Sequence, residues 1–493
     1  MAGSGNSYVQ SDSNEHNAQL GPAKKPVPMR GVGSLLGLVL LVNLAMSLYQ
    51  LPLNRVIERR LCREYYAAED PTVFDPNGEV REELCKVDDV QRELAWIQGA
   101  METAWIVGDF VMTIPLGFVA ERYGPRTVLW MNVVPRVCML AWAVTVGYFE
   151  HLLPTKALLA APMLSVLGGD CVFNSIVYAL ASDMTDDRTL RATYFAYMGS
   201  TSYVVALLGP ALASATMSIL LWLPFYIGIF LLLASTLAVF LLPSHNNAPS
   251  VSDDSEPLLS SPLLKAQDHP PLLTSLSHRF TTARATLTAH PRNFTLLLAS
   301  FLLTSLASSD TKLLVQYISK RYRWTFASAG YLLSGKAVVN FVLLTLVIPR
   351  LLRRRPAPHD DGTYLSYAKM CIAISVGGAV AIALADTVVV LVPALLVYAL
   401  GSALPVFTMS LLKSSAVVAT QGDGTGETGG AETQVFAIVM LVKTLGSLVG
   451  APVMAGVWMW GIEVGGRGLG MPYIVSAGCY VAALWVISGM RVG

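Results

Sequence analysis

Gly117-Phe-Val-Ala-Glu121-Arg122-Tyr-Gly124-Pro125-Arg126 is a short charged turn between two long apolar runs. Its residues suit a tight connection between two membrane-crossing helices. Gly117 permits neighbouring helices to approach closely, Gly124 accepts the left-handed backbone that ends a helix, and Arg122 and Arg126 must lie outside the hydrocarbon. The turn is therefore placed at a cytoplasmic membrane surface, with the rest of the chain arranged around it as helices.

Composition points the same way. The 493 residues are 54% apolar and only 14% charged, which does not fit a soluble globule of this size. The expected class is an all-α membrane protein. A net charge of +1, with basic residues scattered over short loops, gives no footprint for nucleic acid. There is no His-Glu metal cluster, no Ser-His-Asp set outside the membrane and no Gly-x-x-x-x-Gly-Lys-Ser/Thr loop, so neither an enzyme nor an ATP-driven pump is expected, and no cofactor or metal.

Apolar runs of about twenty residues define twelve spans. The first six lie near 32–51, 95–117, 127–149, 155–182, 192–216 and 219–242. The others lie near 294–316, 326–352, 367–386, 388–414, 431–460 and 472–490. This divides the chain into a polar cytosolic tail (1–31), a six-helix bundle (32–242), a Ser/Pro/Leu-rich cytosolic linker (243–292) and a second six-helix bundle (293–493). Within the linker, Asp254 with Leu258 and Leu259 has the pattern of an acidic dileucine sorting signal, with a plain linker as the other reading. A second flexible segment runs from Gln421 to Gly430.

Orientation follows from loop charge. Lys24, Lys25, Arg30, Arg122, Arg126, Arg188, Arg191, Arg350, Arg353, Arg354, Arg355 and Lys413 share one side if both termini are cytoplasmic. The long charged loop from Pro52 to Arg92 is then on the outer side. Cys62 and Cys85 both fall in it, and with no apolar core of the loop's own, a disulfide between them is expected.

The opening turn resembles the loop between spans two and three of the major facilitator superfamily of secondary transporters, Gly-x-Leu-Ala-Asp-Arg-x-Gly-Arg-Arg/Lys. It departs from that pattern with Val119, Glu121 and Pro125. Pro52-Leu-Asn-Arg-Val-Ile-Glu58, Cys62-Arg-Glu-Tyr65-Tyr66, Cys85-Lys86 to Val90-Gln91-Arg-Glu93, and Gln316-Tyr-Ile-Ser-Lys320-Arg321 to Trp324 resemble a fungal branch of that superfamily. The branch is more distantly similar to proton-coupled folate transporters of animals. The resemblance implies the fold and the transport class. Gly209-Pro210 resembles part of the superfamily's antiporter motif, without the paired glycines that follow it there.

Charged side chains at bilayer depth cost about 2.5–3.5 kcal/mol each even on insertion scales, so each one needs a reason. Glu102 and Asp109 share a face of span two: Glu102 reads as a cavity carboxylate that accepts protons, Asp109 as the structural partner of Arg136. Asp170, Asn174 and Tyr178 recur at spacing four in span four as one polar stripe. Asp170, held away from water there, is the first candidate for substrate or proton contact, with a buried hydrogen-bonded packing role as the other reading. Lys336 and Asn340 share a face of span eight, with two readings for Lys336: a salt bridge to Asp310, or neutralisation of an anionic solute. Lys312 and Lys443 interrupt spans seven and eleven, and Asn43, Ser47 and Gln50 give span one a hydrogen-bonding face. Gly117, Glu121, Arg122, Gly124 and Arg126 are assigned to a conformational gate, with Asp183, Arg188 and Arg191 as charged partners of Glu121.

These residues support a secondary active transporter of a small organic solute, working by alternating access with protons as coupling ion. A non-transporting membrane sensor on the same fold is the second reading. The chain is expected to act as a monomer in the lipid bilayer of the plasma or vacuolar membrane.

Overall fold

The computed structural model of the chain describes residues 29–76, 78–184, 188–242, 292–347, 361–411 and 428–490. Apart from loops and short 3-10 or π turns, these residues form α-helices, with no strand among them. The first bundle contains α1 (Met29–Glu69), α2 (Asp88–Tyr123), α3 (Pro125–Tyr148), α4 (Asp170–Asp183), α5 (Arg188–Ile219) and α6 (Leu223–Leu241). The second contains α7 (Asn293–Ser308), α8 (Leu314–Tyr322), α9 (Phe326–Val342), α10 (Asp361–Leu384), α11 (Val388–Leu400), α12 (Leu404–Leu411), α13 (Thr428–Val464) and α14 (Met471–Ser488). In the first bundle α1 lies along α5 and α6; in the second α10 lies along α11 and α14, and α7 along α13 and α14. The two bundles meet where α5 packs on α9 and α2 on α13.

Eight helices among the described residues are long and apolar enough to cross a bilayer. The remaining expected spans fall on α2, on residues 155–183, on α9 and on α11–α12, where charges or helix breaks interrupt the apolar run.

The region read as a long loop after span one differs from expectation. α1 runs through Pro52 to Glu69, so Cys62 is helical. The charged stretch conceals an apolar face: Leu53, Val56, Ile57, Leu61 and Cys62 on α1 are buried with Val80, Cys85 and Val90 beyond it. Removing that face from water outweighs the charges between its members.

Span four is not one helix either. Residues 155–164 form a 3-10 and a short α turn, Ser165–Gly169 is non-helical, and α4 starts at Asp170. Gly168 and Gly169 weaken a helix there, and two neighbours satisfy the freed backbone. Asn132 Nδ2–H donates to the Gly169 carbonyl at 2.8 Å, and the Cys171 N–H donates to Asp109 Oδ1 and Oδ2 at 3.2 and 3.1 Å. Span seven is likewise interrupted, by a 3-10 turn at Ser309–Lys312 between α7 and α8.

At the opening turn, Gly124 has φ 86°, and its N–H donates to the Ala120 carbonyl to close α2. The close packing expected at Gly117 is not seen: a Cβ there would meet nothing within 4 Å among the described residues. The tail up to residue 28, linker residues 243–291 with the dileucine pattern, residues 412–427, and the Arg350–Arg355 cluster lie outside the described residues.

Candidate functional site

Five charged residues gather near the bundle interface with a tyrosine of α1: Glu102 and Asp109 of α2, Arg136 of α3, Asp170 of α4 and Lys312 of the second bundle. Arg136 of α3 is completely buried, and its Nη2 donates to Asp170 Oδ1 at 2.8 Å. Its guanidinium carbon stands 5.8 Å from the centroid of the Trp105 ring and 5.5 Å from that of Phe173. Arg136 Nε and Nη1 have no hydrogen-bond partner among the described residues.

The pairing therefore differs from the expected Asp109–Arg136 bridge. Asp109 caps the N-terminus of α4, where free N–H groups and the helix dipole favour a carboxylate, and that leaves Arg136 to Asp170. Asp170 is also not held away from water. Its side chain is 57% exposed because the helix break makes it the first residue of α4. Asn174 and Tyr178 follow it on the same exposed face.

The second bundle reaches this cluster through Lys312, whose Nζ lies 3.0 Å from Glu102 Oε1. Lys312 also senses the charge of Asp170. About half of the Lys312 side chain is accessible. Tyr49 of α1 lies within electrostatic reach of Glu102, Asp170 and Arg136. The two bundles are thus joined at depth by Glu102–Lys312, beside Asp170–Arg136.

A second polar group lies within the second bundle. Asp310 is completely buried, and both its oxygens accept from the Tyr398 hydroxyl, at 2.9 and 3.0 Å. Tyr480 stands 3.4 Å beyond that hydroxyl. Lys336 does not form the salt bridge with Asp310 that the sequence suggested. Its Nζ sits over the Tyr398 ring, 5.1 Å from the centroid, because the tyrosine hydroxyl already holds the carboxylate. Asn340 accepts a hydrogen bond from Ser402 Oγ–H at 3.1 Å. Lys443 is partly buried on α13, and its carbonyl accepts from Ser305 Oγ. Asn43 is partly exposed and Gln50 exposed, while Ser47 packs beneath Gly209.

A third network, missed in the sequence apart from its expected disulfide, seals one end of the molecule. A disulfide joins Cys62 and Cys85, with Cα atoms 5.2 Å apart. Beside it the buried Glu58 is held by Lys86 Nζ at 2.7 Å, Arg55 Nη1 at 3.0 Å and Gln91 Nε2 at 2.5 Å. Glu82 pairs with Arg55 at 3.1 Å and accepts the Phe326 N–H of the second bundle at 2.8 Å. Lys320 of α8 bonds the Lys86 carbonyl and lies 2.6 Å from Asp88. Arg92 meets Glu463 at 3.3 Å, and Lys86 lies over the Phe326 ring. A cavity of about 400 Å³ sits at this end, between Arg55, Arg59, Met217 and Leu221 of the first bundle and Thr325 and Ala327 of the second. Opposite charges at helical spacing, Arg55/Glu58 and Glu82/Lys86, were the available sequence signal. Replacing both Cys62 and Cys85 by Ala should lower stability by about 2–4 kcal/mol, read from unfolding of the purified protein. An unchanged midpoint would show that the packing alone holds this end.

Close backbone packing helps the seal. A Cβ on Gly99 of α2 would stand 2.5 Å from Ala455 Cβ of α13, so only glycine permits this approach between the bundles. Gly99→Val should therefore part the bundles at the disulfide end. A cysteine introduced at Ala327 would then react with a hydrophilic maleimide several-fold faster than in the parent, and equal rates would count against this seal.

At the other end, Arg122 and Tyr123 are exposed, with the guanidinium stacked 5.6 Å from the ring, and Arg126 Nε is buried without a partner among the described residues. The side chains of Glu121, Asp183, Arg188 and Arg191 lie outside the described ones.

Residues 93–451 match the family model described as Major Facilitator Superfamily. Among curated proteins the chain is similar to the MFS efflux pump atnC of Emericella nidulans, 25% identical over 459 residues that cover 92% of this chain and 86% of the relative. It is likewise similar to the efflux pump ustT of Aspergillus flavus, 26% identical over 469 residues, with coverage of 92% and 86%. Among solved structures it shares the fold of the nucleoside transporter NupG, with a TM-score of 0.58, 15% identity, and coverage of 93% of this chain and 99% of that one. The chain belongs to the major facilitator superfamily; it is a multi-pass membrane transport protein and not an enzyme.

Proposed function

We propose that this chain is a secondary active transporter that moves a small organic solute by alternating access, with protons as the driving ion. The observation that carries the reading is the pair of adjacent ion pairs at the bundle interface, Asp170–Arg136 within the first bundle and Glu102–Lys312 between the two. Each contains a carboxylate whose protonation would release a cation. Protonating Glu102 frees Lys312 and loosens one bundle from the other; protonating Asp170 leaves Arg136 without its anion. A proton arriving from one side therefore alters the contact that must change when the cavity reopens to the other.

On this reading the disulfide end faces outward and is the closed gate of the conformation described, while both termini and the linker (243–292) are cytosolic. The names of the fungal relatives support outward movement of the solute, and they weigh against a sensor that binds without transport. The oxidising environment that a disulfide requires agrees with this orientation.

Full-length protein in proteoliposomes, challenged with a panel of small metabolites, should move at least one of them faster across an imposed pH gradient than without it. A protonophore should remove the difference. Transport that ignores the gradient would reject proton coupling, and binding without any movement would return the sensor reading.

A further inference from the structure

Of the cations at depth in the two bundles, Arg136 and Lys312 each face a carboxylate of this chain. Lys336 and Lys443 have none within ion-pair distance among the described residues, and of the two only Lys336 stands over an aromatic ring, with an amide side chain one turn away. It sits over the Tyr398 ring, and the nearby Asp310 directs both oxygens to the Tyr398 hydroxyl. One turn along α9, about 5–6 Å away between Cβ atoms, Ser402 donates to Asn340 Oδ1 and so fixes that amide with its NH2 group turned away from Ser402. Lys336 and Asn340 are both partly accessible. Together they offer three ammonium and two amide N–H donors beside the Tyr398 ring, and Ser402 already occupies one lone pair of their one acceptor, Asn340 Oδ1.

An ammonium at this depth whose nearest carboxylate, Asp310, stays beyond ion-pair distance and turns to the Tyr398 hydroxyl is incompletely compensated, and a donor-rich pair beside an aromatic ring suits one class of guest. We propose that Lys336 and Asn340 hold the anionic group of an organic acid whose apolar body lies against the aromatic wall, so that the transported solute is an organic anion. This rests on the reading above, that the solute occupies the space between the bundles. Lys312 and Arg136 are excluded from the role because their own carboxylates already compensate them.

The test is a binding measurement that needs no gradient. The full-length protein in detergent micelles is titrated calorimetrically with benzoate and, separately, with benzamide, which keeps the ring and lacks the charge. Benzoate should bind at least about tenfold more tightly than benzamide, a difference of the size one charged contact provides. Lys336→Gln should remove that preference and Lys336→Arg keep it. Asn340→Asp, nearly the same shape with a repelling charge, should abolish benzoate binding and leave benzamide unaffected. Lys443→Gln should change neither.

Equal affinity for the two compounds in the parent protein would overturn the proposal. So would a preference that survives both Lys336→Gln and Asn340→Asp, or one that only Lys443→Gln removes. If Lys336→Gln does not fold, the parent and Asn340→Asp decide. Gradient-driven transport with no preference for benzoate would reject the anion site alone. A Lys336-dependent preference in a protein that transports nothing would reject the transport reading alone.

Discussion

Glu58→Leu is expected to be among the most destabilising single changes in the first bundle, at about 3 kcal/mol. Glu58 is completely buried, and it is the nearest anion to Lys86, whose side chain is 2% exposed. Removing one member of a buried pair leaves the other charge uncompensated, which typically costs about 3–5 kcal/mol. The lower figure applies because Glu82 remains 3.5 Å from Lys86. Removing both charges, in Glu58→Leu with Lys86→Met, should recover most of the loss, because no unpaired ion then stays buried. Thermal unfolding of the purified variants checks both parts. A double variant as unstable as the single one would show that Glu58 acts through packing, not charge.

The second large effect is expected at the cross-bundle pair. Lys312→Glu places two carboxylates where an ion pair of 3.0 Å now stands, and Glu102→Lys does the same with two ammonium groups. Each should impair gradient-driven transport strongly, and the exchange Glu102→Lys with Lys312→Glu should restore part of it. Side chains in direct contact couple by about 0.5–3 kcal/mol in such cycles. Additive losses would mean that the pair plays no part in bringing the bundles together.

Asp170→Asn requires a different expectation from the one its sequence context suggests. In an apolar helix the change would alter titration alone. With Arg136 completely buried against it, the substitution also removes the anion facing a buried guanidinium, so lower stability should accompany any loss of coupling.

The fold was legible because its signals are local. Long apolar runs, loop arginines and Gly124 at a helix end each report on their own surroundings, and the helices follow them. The site was legible only as a set of residues that needed a reason to be at depth. Which carboxylate meets which cation depends on where helices break and how they rotate, and that is set by contacts distant in sequence. Gly168 and Gly169 mark the break before Asp170, but a glycine pair alone does not say that Asp109 and Asn132 will receive the freed backbone. The Pro52–Arg92 stretch was misread for a related reason: its charge density hid the period of Leu53, Val56, Ile57 and Leu61, which buries one face of α1. Lys336 lacks the ion pair its sequence context suggests because the Asp310 carboxylate turns to the Tyr398 hydroxyl, a partner 88 residues away that no sequence pattern marks.

The central claim is that the two bundles alternate between closure at the disulfide end and closure at the opposite end, under control of protons. Spin labels at Met217 and Ala327, across the cavity of the disulfide end, and at Tyr123 and Val347, near the far ends of α2 and α9, report both gates in liposomes without any known solute. Pulsed dipolar spectroscopy should give two distances for each pair. As the pH falls from neutral to mildly acidic, the long distance should grow at one end while it shrinks at the other, and Glu102→Gln should suppress the shift. A single distance at each end, indifferent to pH, would contradict the account.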